Sequence, residues 1–383
     1  MITRYVNLTV ITLLFFMLTS CIDEYWPEID KYENLLVVEG GISNEPGPYV
    51  IKLSKSSPID SAFYIPYANC SVMIVDDLGE TEYLQEWGLG FHITTNPDFR
   101  GQIGRSYKLV IINHERVVYE SSFEELKMPV KIEKVYAEVE YHGEAGYDHE
   151  LAGYQFYLDT EETTSDTNFY LWQMDGTYHY QSQYNIRFYY DGSLKPFNPA
   201  DSLFNCWRTD KIKDIYTFNT TSLTTNQLSK FPLNYVNTEG KELTIKYSLY
   251  VKQHTINKTA FKFWNAIQKQ NEEQGSLYSH QPYQIVGNIK NIDDSDEPVL
   301  GYFMVSGINR KRIFVDKIDA PFYYTRCTIN EGNYLAFSEI WGTPPSQYPV
   351  YVVMSGGLAV PGQACADCRQ KGGTIQKPYY WED

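Results

Sequence analysis

Alternation limits this chain more than any other feature. Between Ile132 and Tyr141 apolar and charged residues largely take turns, as Ile132-Glu133-Lys134-Val135-Tyr136-Ala137-Glu138-Val139-Glu140-Tyr141. Successive side chains of a strand point to opposite faces, so such a run separates a wet face from a dry one only when extended. Shorter runs of the same kind precede it. Leu35–Glu39 ends at Gly40-Gly41, and the turn cluster Ser43–Pro48 introduces Tyr49–Leu53. Ser71–Val75 passes through Asp76-Asp77-Leu78-Gly79 into Thr81–Leu84. After Gly104, Tyr107, Leu109 and Ile111 share a face, and Val117–Ser121 closes the set. About seven short strands at this spacing predict a small β-sandwich over residues 34–128, with Met128-Pro129 as its boundary.

Residues 129–383 read as a larger β-rich domain. Its predicted strands are Tyr154–Leu158, Asn168–Met174, Thr177–Tyr184, Leu243–Gln253, Gln284–Ile289, Val299–Val305 and Lys311–Val315. One helix is expected over about 258–274, capped by Thr259, with Phe261, Trp264, Ala266 and Ile267 as its apolar stripe. The fold class is therefore mainly β. Tyrosine is abundant, at 34 residues, which suits sheet faces. Exposed rings could also stack on sugars or meet peptides, but sheet packing is the stronger reading for any single tyrosine.

The N-terminus carries an export pattern. Arg4 precedes an apolar run from Leu8 to Leu18, which ends in Leu18-Thr19-Ser20-Cys21. The run is shorter than the ~20 residues a membrane span needs, and its basic start and length fit a signal peptide. Residues 1–20 are expected to be removed, leaving Cys21 as the lipid-bearing first residue. The alternative is an ordinary signal peptide that merely ends before a cysteine. A three-chain acyl anchor at ~0.8 kcal/mol per buried CH₂ holds a protein on a membrane firmly. Residues 21–33 then form an acidic tether, in which Asp23 and Glu24 read as a surface-export signal. Loss of Arg4 takes the formal charge from −16 to −17. That excludes a generally basic face for nucleic acid, and no nucleic-acid partner is expected.

Five cysteines remain after Cys21: Cys70, Cys206, Cys327, Cys365 and Cys368. Beside a predicted buried strand, Cys70 is the candidate free thiol. The other four can form two bridges in an oxidising compartment, with three connectivities open. Cys365-Ala366-Asp367-Cys368 lacks the strand-to-helix setting of a redox pair and reads as a structural staple. Cys206 and Cys327 could complete a zinc set with it, but export favours disulfides.

No catalytic motif is present. There is no His-Glu-x-x-His, no Gly-x-Ser-x-Gly and no phosphate-binding glycine loop. The cluster from His142 to Glu150 sits between strands and reads as a solvated hairpin loop. Asp293–Glu297 lacks the glycine and distal glutamate of a calcium loop and reads as a charged turn. Asp60-Ser61-Ala62 and Asp201-Ser202-Leu203 match a short O-glycan acceptor pattern, at a length where chance matches are common. No enzyme activity, cofactor or metal is expected.

Several spaced elements together resemble a known family. They are Leu36–Gly40 with Asn44–Pro48, Gly104–Tyr107, Tyr170-Leu171-Trp172, Cys206-Trp207, Gly287-Asn288 and Leu300–Phe303. The tail Cys365-Ala366-Asp367-Cys368-Arg369, with Gly372-Gly373, Lys377-Pro378 and Trp381, completes the set. The chain resembles an uncharacterised family of Bacteroidetes outer-membrane lipoproteins defined as a domain of unknown function. The resemblance implies a lipid-anchored protein facing the cell exterior, accessory to a TonB-dependent transporter, that binds a ligand or partner. The first domain also resembles immunoglobulin and transthyretin-like sandwiches. A structural or adhesive surface module is the alternative function.

Overall fold

A computed structural model describes residues 34–57, 63–164, 167–199, 201–273, 284–327, 329 and 339–382. Nine strands lie before Met128: β1 (Leu36–Ser43), β2 (Val50–Lys55), β3 (Ile65–Pro66), β4 (Ser71–Asp76), β5 (Thr81–Gly88), β6 (Phe91–Thr94), β7 (Ser106–Ile112), β8 (Val118–Ser121) and β9 (Glu124–Glu125). Nine more precede the long helix. They are β10 (Ile132–Gly143), β11 (Glu150–Thr160), β12 (Phe169–Gln181), β13 (Ile186–Tyr190), β14 (Leu194–Pro196), β15 (Asn205–Lys211), β16 (Tyr216–Asn219), β17 (Phe231–Asn237) and β18 (Lys246–Ile256). Helix α1 (Lys258–Glu273) follows, then β19 (Ile289–Asn291), β20 (Leu300–Asp316), β21 (Val350–Met354), β22 (Leu358–Ala359) and the short α2 (Gln363–Ala366). The protein is mainly β with one long helix, as the alternation predicts.

One continuous sheet forms the frame. Its order is β15-β12-β18-β20-β1-β2-β6-β5-β4-β7-β8-β19. β20 holds it together by changing partners along its length. Leu300–Ser306 runs parallel to Val37–Ser43 of β1, and Gly307–Asp316 runs antiparallel to Lys246–Thr255 of β18. Two cores hang on these two halves. The first collects Leu36, Val38, Ile51, Ile74, Leu109 and Ile111 from before Met128, and also Ile289, Val299, Phe303 and Val305. The second packs Tyr170, Trp172, Met174, Leu249 and Val251 against Phe156, Leu158 and Leu233. Those last three belong to a separate sheet, β10-β11-β17, so this part is a sandwich.

The backbone approach at the partner change is close. A Cβ on Gly41 would lie 2.0 Å from the Met304 carbonyl oxygen. One on Gly307 would lie 2.2 Å from the Lys127 oxygen and 2.7 Å from the Pro129 nitrogen. The chain at the expected Met128-Pro129 boundary thus lies directly against β20.

Several predicted strands are longer than expected. The predicted Val299–Val305, apart from Val299, and Lys311–Val315 are two parts of β20, and Asn168–Met174, apart from Asn168, and the first part of Thr177–Tyr184 are one strand, β12. Tyr178 and Tyr180 are buried as partners on β12, while Tyr184 lies beyond its end. Gly176 and Gly307 lie inside these long strands, each at a spot where something packs against bare backbone; the Tyr247 hydroxyl sits 2.2 Å from where a Cβ on Gly176 would be. Gln284–Ile289 supplies only the first residue of β19. Thr259 does not cap α1: the helix begins at Lys258, and the Thr259 hydroxyl donates to the Glu124 carboxylate at 2.8 Å.

Gly307→Ala forces a methyl into main-chain atoms that no rotamer change can move. We expect a loss of about 1–3 kcal/mol, seen as a lower urea midpoint at unchanged slope. An unchanged midpoint would show that Lys127–Pro129 can move aside.

Candidate functional site

The face of β12-β18-β20 turned away from the sandwich core carries a cleft. Cross-strand register puts its residues in rows. Gln173 pairs with Lys252, and Lys252 with Arg310. One row along, Leu171 pairs with His254, and His254 with Ile308. Residues two apart share a face, so Gln173, Lys252, His254, Ile308 and Arg310 form one surface, continued on β20 by Ser306, Met304 and Tyr302. Helix α1 forms one wall with Phe263, Trp264 and Ile267, and the turn after β1 forms another with Pro46 and Pro48. The cleft encloses about 760 Å³, within the range of small-molecule sites.

The helix stands here because its apolar side meets the sheet's apolar rows. Ala260 and Phe263 are buried, and they pack with Leu171, Ile256 and Tyr302. Phe263 and Tyr302 have ring centroids 4.9 Å apart. The Tyr302 hydroxyl donates to Glu124 Oε1 at 2.7 Å, which fixes that end of the cleft.

The polar groups differ in how far they are satisfied. His254 Nδ1 lies 2.9 Å from Ser306 Oγ and Nε2 lies 3.2 Å from Gln173 Oε1. Burial drives its pKa down to about 3, helped by the positive charges of Lys252 and Arg310, so the ring is neutral at pH 7. Arg310 pairs with Glu45. Lys252 has no hydrogen bond or ion pair among the described residues, and burial holds its pKa below the ordinary lysine value. Trp264 Nε1 is buried and also finds no acceptor among them.

The tail forms a second, purely structural site. Cys206 on β15 bonds to Cys368 and Cys327 bonds to Cys365. Cys365 and Cys368 therefore do not pair with each other, and the staple reading holds with this connectivity out of the three. Hydrogen bonds reinforce it: Tyr180 donates to the Cys368 carbonyl at 2.6 Å, and the Gln183 side chain brackets Cys327 at 2.6 Å in both directions. Asp367, buried between the cysteines, binds Arg369 at 2.8 Å. Further on, the Arg312 guanidinium lies 4.6 Å from the Tyr250 ring and 3.8 Å from Tyr380, which presses the C-terminus against the sheet.

The other sequence candidates are scattered. Cys21, Asp23, Glu24 and Asp60-Ser61-Ala62 lie outside the described residues. Cys70 is free and half-buried, and burial pushes its thiol up to about 11. His142 and His149 flank the β10–β11 turn, each bonded to one neighbouring carboxylate, Glu140 and Asp148. Asp293–Glu297 is a turn in which Asn291 Oδ1 accepts from the Asp293 and Asp294 amides. Asp201-Ser202-Leu203 is a turn with Leu203 buried. Among the described residues no three His, Cys, Asp or Glu side chains gather to hold a metal. No motif pointed to Gln173, Lys252, His254 or Arg310. Their signal was the polar side of the strand alternation, Lys246, Ser248, Tyr250, Lys252 and His254.

A family model matches residues 22–312, more than half of the chain. The chain belongs to the family described as Domain of unknown function (DUF4249). That match spans every row of the cleft and ends before Cys327, Cys365 and Cys368. No curated protein matches the chain.

Two outcomes follow from this geometry. The folded pKa of His254 lies below its unfolded value of about 6.5, so the unfolded state binds the extra proton. Stability is full above pH 6.5 and falls as pH drops toward 3, by up to about 1.4 kcal/mol per pH unit. His254→Gln should flatten the slope of unfolding free energy against pH by up to one proton; an unaltered slope would place the titration elsewhere. The bridges differ in exposure: Cys206 and Cys368 are fully buried, whereas Cys327 and Cys365 are half-exposed. Access governs thiol exchange, so graded dithiothreitol should open Cys327–Cys365 first, read by alkylation and peptide mass. Simultaneous opening of both would contradict this.

Proposed function

We propose that this chain is an exported Bacteroidetes lipoprotein, acylated at Cys21, that stands on the exterior of the outer membrane and binds a ligand or partner beside a TonB-dependent transporter. The observation that carries the binding role is the cleft on β12-β18-β20, with apolar walls and a few converging polar groups, which is the ordinary make-up of a binding site. Two disulfides suit an oxidising compartment. Leu18-Thr19-Ser20-Cys21 and the acidic Asp23 and Glu24 support the anchor and the surface address from sequence. Among the described residues no helix is long and apolar enough to cross a membrane, so in this reading the acyl chains do the anchoring. The role proposed is binding without catalysis.

Cys21→Ser is expected to move the protein from the membrane fraction into the soluble fraction. Crosslinking on intact cells, followed by purification of the native chain, is expected to recover a TonB-dependent transporter. A serine variant that stays membrane-bound and processed defeats the anchor; repeated recovery without a transporter defeats the accessory role. The adhesive alternative draws on Trp87 and Leu89, which are 79% and 69% exposed around the β5–β6 turn. It gains if Trp87→Ser weakens cell attachment while cleft variants do not.

A further inference from the structure

We infer that the cleft on β12-β18-β20 takes an elongated small molecule with a carboxylate at one end and an apolar body, with Lys252 as the anion's anchor. This rests on the binding role proposed above and names the chemistry of its ligand.

Charge complementarity argues for the head group. The chain as a whole is strongly acidic, at −16, yet this end of the cleft is locally positive. Arg310 is matched by Glu45. Glu39, on the opposite part of the lining, is matched by Lys52 at 2.6 Å. Asp175 and Lys211, cross-strand partners one row beyond Lys252, oppose each other in sign. His254 is neutral. Lys252 is then the charge that makes no ion pair among the described residues: Glu45 and Asp175 act on it only through space, and it stands in a half-buried place where an ammonium without a contact partner is costly. An incoming anion removes that cost. A carboxylate also suits the row geometry, since the Gln173 amide and the Arg310 guanidinium flank Lys252 on either side.

The walls argue for the body. Phe263, Trp264, Ile267, Ile285, Met304 and Ile308 line the cleft. The lining positions of β20 run from Tyr302 to Arg310, about 26 Å at ~3.3 Å per residue. That length with a volume of about 760 Å³ describes a trough, which suits a chain-like ligand.

The floor argues for the size class. β12, β18, β20 and β1 are interior strands, each hydrogen-bonded on both sides. A peptide therefore cannot add itself as a strand here, and the main-chain bonds that give extended peptides their affinity are not on offer.

The test is calorimetric titration of the full chain carrying Cys21→Ser, disulfides intact, with decanoate, decanol, decyltrimethylammonium and an acetylated Leu-Leu-Phe peptide bearing a free carboxylate. We expect saturable 1:1 binding of decanoate, at least tenfold tighter than decanol, and none of the cation. Lys252→Met should weaken decanoate at least tenfold and leave decanol unchanged, while Lys252→Arg should keep most of the affinity. Melting temperatures of both variants near the parent show that the fold is retained. Equal binding of decanoate and decanol, or an unaffected Lys252→Met, overturns the anchor. No saturable binding of decanoate overturns the ligand class, and tighter binding of the peptide assigns the cleft to protein C-termini instead. None of these outcomes depends on the membrane location or the transporter, which the crosslinking and fractionation experiments judge separately.

Discussion

Everything in this molecule depends on β20 pairing with two different partners. Over Leu300–Ser306 it is a parallel neighbour of β1, and over Gly307–Asp316 an antiparallel neighbour of β18. A parallel pair cannot be made by a hairpin and needs a long connection; here residues 44–299, about two thirds of the chain, are that connection. The hydrophobic cores on either side therefore share one continuous set of hydrogen bonds. Gly41 and Gly307 allow this because the neighbouring main chain occupies the space a side chain would need. A cleft at this place follows naturally. Where one strand passes from one partner to another, its outward face is covered by neither core, and the side chains there are free to be polar.

The tail adds a second constraint of a different kind. Sequence separations of 162 and 38 residues correspond, on the chain-entropy model, to about 5 and about 4 kcal/mol of stabilisation. The bridges act together, because Cys365 and Cys368 sit at either end of one short turn, with the Asp367–Arg369 pair between them. They fix the ends of β12 and β15 to the last residues of the chain. That leaves the edge strand β15 covered in part, with Trp207 and Thr374 exchanging backbone hydrogen bonds at 2.8 Å, and covered edges resist aberrant pairing.

Much of the fold was legible, for a simple reason. Period-two alternation is local, and a strand buried on one face, such as β4 with Val72, Ile74 and Asp76 inward, cannot hide it. The helix was legible because Phe261, Trp264 and Ile267 repeat at helical spacing. Strand lengths were less so: a glycine that admits a neighbour's backbone looks, in one dimension, like a glycine that makes a turn. Pairing was not legible at all, since nothing in Leu36–Ser43 indicates that its partner lies near residue 300. The cysteines behaved similarly. Which four would pair was readable from their number and setting, but the choice of Cys206–Cys368 over its alternatives is made by distance in space. The cleft was hidden most thoroughly. Its polar residues come from three strands, one or two from each, and on each strand they look like an ordinary wet face.

The interior position of the cleft floor has a consequence for how this scaffold can vary. The ladder is built from main-chain groups and is indifferent to which side chains project from its outer surface. Exchanging the residues at 173, 252, 254 and 310 rewrites the chemistry of the trough without touching the hydrogen bonds or the inward-facing core beneath. Architecture and specificity are thus encoded by opposite faces of the same strands, and a lineage can alter one while conserving the other.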